Sequence, residues 1–382
     1  MRVGLDGFPL ATPKTGIGHY TFELARALAL IAPSDEFQLI SPVAFTDSTV
    51  RDGNWPPNLL AVNPNATSIR RRWWAVGLPL YVRNGALDIF HGTNYDVPLW
   101  NRRRTVVTIH DLSILLHAEK HEAHLARRAR RRLPVMARSA SMIITPTESV
   151  KREVCENLGV KSDRVAVTPE APRRSFQPMP LEQTVETKRR LSIEDEFILF
   201  VGTVEPRKNL LTLVRAFDQI LRHTLHRPQL VIAGGEGWLM DELIGFIAKS
   251  GLGDRLLLTG YLSDEDLCAL YSSCKVFVYP SIYEGFGLPP LEAMACGAPV
   301  IASRIPVFHE TLGGAACLVE ATDVEELARN IVAVFEDEAR RNMLSSAGQQ
   351  HAREFSWDKT ARLTLGVYHQ VVSKPNRHAI AR

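Results

Sequence analysis

Short apolar runs alternate with helical patterns along almost the whole chain, and this alternation constrains the fold more than any other feature. In the first half, "MRVGLDG", "EFQLISPV", "LDIFHG", "TVVTIHD" and "SMIITPT" each stop at a polar or Gly-containing segment, with helical patterns such as "HYTFELARALALI" and "VKREVCENLG" between them. Short apolar runs bounded by turn signals read as buried strands, and strands separated by amphipathic helices predict a parallel sheet covered by helices.

A polar stretch, "EAPRRSFQPMPLEQTVE", interrupts the pattern, which then restarts: "FILFVG", "PQLVIAGG", "LLLTGY", "KVFVYPS", "PVIAS" and "AACLVE", with helical stretches such as "NLLTLVRAFDQIL", "SDEDLCALYSSC" and "PPLEAMACG" in between. A chain of 382 residues exceeds the size at which one core usually divides. Two α/β domains are therefore expected, with a boundary near residues 172–190: 1–178, then 179–360, with 361–382 forming a last amphipathic helix and a tail, "PNRHAIAR", expected to be disordered.

The composition, 45% hydrophobic and 23% charged, is that of an ordinary soluble protein. No run approaches the roughly 18 apolar residues of a membrane span, and "MRVGLDGFPLATPKTG" lacks a signal-peptide core, so a cytoplasmic location is expected. Cys155, Cys268, Cys274, Cys296 and Cys317 form no CxxC pair and no ligand-like cluster with histidine, and read as reduced and structural. The charge is unevenly divided. Residues 1–178 hold 24 Lys and Arg against 16 Asp and Glu, leaving 21 against 26 for the rest of the chain, so only the first half should be drawn to something anionic.

In parallel α/β domains, ligands sit beyond the carboxyl ends of the strands. "TPKTGIGHYTFEL" puts Gly16 and Gly18 in the first strand-to-helix turn, where backbone N–H groups can receive a phosphate, although a tight turn without a ligand uses the same glycines. It is not a GxGxxG fingerprint, since "LISPVAF" stands where the acidic ribose-binding residue would be. In "VGTVEPRKNL", Arg207 and Lys208 converge just before a helix, the unfavourable end for cations, and together can neutralise a diphosphate; the other reading is a solvated basic pair. "VIAGGEGW", with Gly234, Gly235 and Gly237, lets a base or phosphate approach the backbone, or is a plain turn.

"SIYEGFGLPPLEAMACG" sets Glu284 and Glu292 eight positions apart around a Gly- and Pro-rich bend. A helix starting at about Pro289 puts Glu292 in its first turn, where the dipole favours a carboxylate, and Glu284 in the preceding loop. Carboxylates accept hydrogen bonds from adjacent hydroxyls, so a sugar or ribose is the expected partner, against a helix cap plus a surface acid.

"EGFGLPPLE" resembles the E-x7-E signature of the family-4 retaining glycosyltransferases, and "EPRKN", "GGEGW", "TGYLSDEDL" and "TGIGHYTFELARAL" resemble other segments of that family in order. The resemblance spans essentially the whole chain, is strongest over residues 195–305, and is closest to bacterial mannosyltransferases of surface-polysaccharide assembly. It implies a GT-B fold, with two Rossmann-like domains facing across a cleft, an N-terminal acceptor-binding domain, a C-terminal nucleotide-sugar-binding domain, and a last helix returning to the first domain.

By the same resemblance, Glu292 binds ribose hydroxyls, Glu284 the transferred sugar, Lys208 the donor diphosphate and His110 of "TIHDL" the sugar near its reacting carbon, while Gly16 lends backbone donors near the phosphate. A neutral His110 holding its loop is the other reading, and Asp111 fits a loop-fixing or acceptor role better than that of a nucleophile. Thr203 stands where many members carry arginine, and Arg207 is the candidate replacement. The expected activity is transfer of a hexose, mannose from GDP-mannose, to a lipid-linked or oligosaccharide acceptor. Retention is expected without an assigned protein nucleophile, and the scheme of glycoside hydrolysis does not carry over to the two glutamates. Neither a cofactor nor a metal is expected: no DxD-like site is evident, and the Lys–Arg clamp takes the part of the ion.

Arg127, Arg128, Arg130, Arg131 and Arg132, together with "RRRWW" at 70–74, fit an anionic membrane surface carrying a polyprenyl-diphosphate-linked acceptor, or are solvated helix faces with buried tryptophans. Nucleic acid is not expected, since no recognition module accompanies them. The alternatives are a soluble sugar or sugar-phosphate glycosyltransferase using a UDP- or ADP-sugar, a sugar-nucleotide epimerase, and a non-catalytic sugar-binding protein.

Overall fold

The computed structural model describes residues 1–11, 16–45, 55–64, 72–84, 87–98, 104–235, 237–238 and 241–373. Arg70, Arg71 and the "PNRHAIAR" tail lie outside them. The chain divides into two compact units, Met1–Glu170 with Ser356–Arg382, and Ala171–Phe355.

The first unit runs β1 (Arg2–Asp6), α1 (Gly16–Ile31), β2 (Glu36–Ile40), β3 (Leu59–Val62), α2 (Leu78–Asn84), β4 (Ile89–Gly92), β5 (Thr105–Thr108), α3 (Ser113–Leu116), α4 (Ala123–Ser139), β6 (Met142–Thr145), α5 (Glu148–Leu158) and β7 (Val165–Val167). The strands form one parallel sheet in the order β3-β2-β1-β4-β5-β6-β7. β4, β5 and β6 are buried at every position, as expected where helices cover both faces of a sheet.

The second unit runs α6 (Leu181–Leu191), β8 (Phe197–Val201), α7 (Leu210–His223), β9 (Gln229–Ala233), α8 (Asp241–Ser250), β10 (Leu256–Gly260), α9 (Asp264–Ser273), β11 (Val276–Tyr279), α10 (Leu288–Ala295), β12 (Val300–Ser303), α11 (Pro306–Thr311), β13 (Cys317–Val319), α12 (Val324–Glu336) and α13 (Glu338–Ala352). Its sheet is parallel in the order β10-β9-β8-β11-β12-β13, the doubly wound order, with the direction of winding reversing between β8 and β11. Local chemistry sets the helix starts: the hydroxyl of Ser263 accepts from the Asp266 N–H to open α9, and the carboxylates of Asp323 and Asp337 cap α12 and α13 in the same way.

The last helix, α14 (Trp357–Ser373), belongs to the first unit and packs on α1. Its Tyr368 hydroxyl meets His91 Nδ1 at 2.7 Å, and His91 Nε2 meets Thr108 Oγ1 at 2.8 Å, a buried polar chain that Tyr20 extends at 2.9 Å from the same threonine. Burial lowers the His91 pKa to about 3, with the nearby His110 adding to the shift.

No helix among the described residues is long and apolar enough to cross a membrane. All five cysteines are free thiols. Trp73 is buried with Ile40, Leu78, Val82 and Phe90, which removes it from any surface, and the half-buried Trp74 stands edge-on to Phe8 at 6.0 Å.

Candidate active site

Where winding reverses in a doubly wound sheet, the two neighbouring strand ends diverge and leave a crevice. In the second unit, the loops after β8 and β11 meet there. The first carries Arg207 and Lys208 in a 3-10 turn, Pro206–Lys208, and the second carries Glu284. Lys208 Nζ donates to Glu284 Oε1 at 2.6 Å and to the Tyr279 hydroxyl at 2.7 Å, while Arg207 Nη1 donates to Glu284 Oε2 at 2.9 Å and Nη2 to Glu205 Oε1 at 2.6 Å.

These cations are not bare: each faces a buried carboxylate. Burial works to raise the Glu284 pKa, but the charges of Arg207 and Lys208 outweigh it and bring the group down to about 2. Burial and the Arg207 charge lower the Lys208 pKa, with Glu284 and Glu205 opposing. The cluster therefore has two cations and two carboxylates that fix one another. Thr203 is exposed on the same loop.

Glu292 takes a different position from that expected. α10 begins at Leu288, so Glu292 lies beyond its first turn and the helix N-terminus is not what holds it. The chain enters α10 through Gly287 at φ +96°, a position where a Cβ would stand 2.5 Å from the Phe308 ring and glycine is required. The partner of Glu292 is Arg173, in the polar stretch that reads as a mere boundary in the sequence, at 2.8 and 2.9 Å from the two carboxylate oxygens.

The glycines of "VIAGGEGW" separate into two kinds. A Cβ at Gly234 would fall 2.0 Å from the Gly202 carbonyl oxygen, and one at Gly237 2.0 Å from that of Val204, so close passage of the two loops accounts for both. Gly235 faces open space. In the first unit Gly16 likewise faces open space at the start of α1, and Gly18 is buried.

His110 follows β5 and is buried. Its Nε2 faces the Thr93 carbonyl at 2.9 Å and its Nδ1 the Glu170 carboxylate at 2.9 Å, so both ring nitrogens are engaged within the first unit. Burial lowers its pKa, but the Glu170 hydrogen bond and charge, the Thr93 carbonyl and Asp111 together raise it above the ordinary value. Asp111 accepts from Ser113 N–H and Oγ and fixes the loop. Glu170, Tyr279 and Arg173 carry no sequence signal of their own, because each is defined by a partner distant in the chain, whereas Glu205 pairs with Arg207 two residues on, within "EPRKN". Among the described residues, no group of three or more His, Cys, Asp or Glu side chains is arranged to hold a metal.

Comparison with known proteins agrees with this architecture. Residues 183–351 match the model described as "Glycosyl transferases group 1", and residues 14–171 the one described as "Glycosyltransferase Family 4". The O-antigen chain mannosyltransferase B of Escherichia coli is 29% identical over 96% of this chain and 99% of its own. Solved structures that match across the fold include Anabaena Alr3699/HepE in complex with UDP and glucose (19% identity, TM-score 0.74) and a sucrose-phosphate synthase from Thermosynechococcus elongatus (21%, TM-score 0.75), each covering 97% of this chain and 99% of its own. The chain is a nucleotide-sugar-dependent glycosyltransferase of the GT-B fold, related to the mannosyltransferases of bacterial surface-polysaccharide assembly.

Proposed function

We propose that this chain is a family-4 enzyme that transfers a hexose, with net retention of configuration, from a nucleoside-diphosphate sugar to a saccharide hydroxyl. The observation that carries the reading is the Arg207–Glu284–Lys208 cluster at the winding reversal of the second sheet. Breaking a glycosyl–phosphate bond puts negative charge on the leaving diphosphate, and fixed cations stabilise that charge more in the transition state than in the ground state. In this reading Lys208 and Arg207 take the diphosphate, Glu284 the transferred sugar and Glu292 the ribose, with backbone N–H groups near Gly235 and Gly16 free to approach phosphate. The second unit is the donor domain, and the first, where His110 lies, is the acceptor domain.

Two readings of donor and acceptor follow. Mannose from GDP-mannose, moved to a lipid-linked or oligosaccharide acceptor at an anionic membrane, draws on the name of the Escherichia coli relative. A UDP- or ADP-sugar donor with a sugar or sugar-phosphate acceptor in solution is the better supported: the solved structures matched end to end are named for UDP, glucose and sucrose-phosphate synthesis. The burial of Trp73 also removes one of the aromatic anchors that the membrane reading called on.

Calorimetric titration with UDP-, ADP- and GDP-hexoses, followed by nucleotide release with and without saccharide acceptors, tests the proposal. Binding of one donor and acceptor-dependent release are expected. Failure to bind any of them overturns the reading, and binding without turnover favours a sugar-binding protein.

A further inference from the structure

The Arg173 guanidinium is fixed on every side. Nε and Nη2 form a parallel fork on Glu292 at 2.8 and 2.9 Å, Nη1 donates to Asp264 Oδ1 at 2.5 Å, and the guanidinium carbon stands 4.1 Å from the centre of the Phe176 ring. The side chains of Arg173 and Glu292 are only 10% and 5% exposed. A buried ion pair recovers little more than its desolvation cost, and an apolar pair of the same volume would hold the fold about as well, so stability alone does not account for it. The fork is also specific: a lysine in its place would be a point charge unable to set the plane of a carboxylate.

Glu292 has two oxygens with about two lone pairs each, and the fork uses one on each. The fork takes the two inner, parallel lone pairs, and the one left on each oxygen points outward, away from the fork, where it can accept from a hydroxyl. We propose that Arg173 is the positioning residue of the donor site, fixing the rotamer and plane of Glu292 so that an outward lone pair of its carboxylate meets a hydroxyl of the donor ribose. The inference rests on the reading of Glu292 as the ribose-binding carboxylate. Asp264, at the start of α9, completes the hold by anchoring the third side of the guanidinium. Donor binding then incurs no cost of ordering the glutamate.

The test compares UDP, ADP and GDP with their 2′,3′-dideoxy forms by calorimetry, on wild type, Glu292→Gln, Arg173→Ala and Arg173→Lys. Wild type should prefer the ribo form of its nucleotide by about tenfold or more, the scale of charge-assisted hydrogen bonds. Glu292→Gln and Arg173→Ala should both remove most of that preference, and Arg173→Lys should retain only a small part of it, while affinity for the dideoxy form stays within about twofold throughout. An equal loss for ribo and dideoxy forms in the Arg173 variants would show a merely structural arginine and overturn the inference. An intact preference in both Arg173 variants, with loss in Glu292→Gln, overturns it too and leaves the ribose reading standing. No preference in wild type overturns both. Should Arg173→Ala fail to fold, Arg173→Lys, which keeps the charge and loses the fork, decides the matter alone.

Discussion

Lys208 donates to Glu284 at 2.6 Å although 76 residues separate them. The contact exists because β8 and β11 are neighbours in the sheet, and the loops that follow them leave at the same edge. A buried ammonium bonded to both a carboxylate and a phenol has a fixed direction, which is what a group stabilising a leaving phosphate requires.

Removing that ammonium should affect the chemical step more than donor binding. Lys208→Ala is expected to lower kcat by roughly a hundredfold to a thousandfold, with donor KM changed only a few-fold, the range seen when one oxyanion-stabilising donor is lost. Steady-state kinetics with the donor identified by calorimetry checks this; a raised KM at unchanged kcat would place Lys208 in ground-state binding instead.

Glu284 should make the fold sensitive to acid. Its pKa is depressed from 4.5 to about 2, so its stabilising contribution is fully present above the ordinary carboxylate value and is lost as pH falls through about 2. Denaturant unfolding of wild type and Glu284→Gln between pH 7 and pH 2 should give a gap of up to roughly 3 kcal/mol that closes below pH 4.5. A gap independent of pH would mean that the carboxylate is not held by the two cations.

Asp6 should show the opposite sign. Burial, with a smaller contribution from Asp96, raises its pKa from 3.8 to about 7, against the hydrogen bond from Phe8 N–H. The contribution is therefore present below the ordinary value and lost as pH rises through about 7. Asp6→Asn, which keeps an acceptor for Phe8, should be more stable than wild type at pH 8, by on the order of 3 to 4 kcal/mol at most, and should flatten the pH dependence between pH 4 and 8. Equal stability of the two proteins at pH 8 would refute the burial argument.

Tyr368→Phe removes the hydroxyl that meets His91 and leaves a buried imidazole nitrogen without that partner. A loss of about 1 to 3 kcal/mol is expected, with faster amide exchange along α14 and α1 and unchanged nucleotide affinity in the second unit. Normal exchange in α14 would show that its apolar packing on α1 holds it without the bond.

Four of the five clustered arginines of α4, Arg127, Arg128, Arg130 and Arg131, are exposed, whereas Arg132 pairs with Asp96 at 2.8 Å. At about 1 kcal/mol per basic residue, they should draw the protein to anionic liposomes at low salt. Because Trp73 is buried, the binding should vanish by physiological ionic strength and in the variant with those four changed to glutamine. Co-sedimentation that persists at physiological salt would instead favour the membrane-borne acceptor.

Periodicity alone determined the doubly repeated α/β architecture, because a strand buried on both faces and an amphipathic helix each leave a pattern within a few consecutive residues. "EPRKN" and "EGFGLPPLE" marked the two loops that meet at the winding reversal, since Gly, Pro and paired charges concentrate where strands end. What local pattern does not carry is pairing across the chain. Only the tertiary structure brought Arg173 to Glu292 and Glu170 to His110, gave the cations of Arg207 and Lys208 their carboxylate partners, and showed that Gly234 serves the close passage of two loops. Gly287, in a left-handed bend where a Cβ would meet the Phe308 ring, leads into α10 at Leu288, and Glu292, past the first turn of that helix, is held by the Arg173 fork from a distant part of the chain.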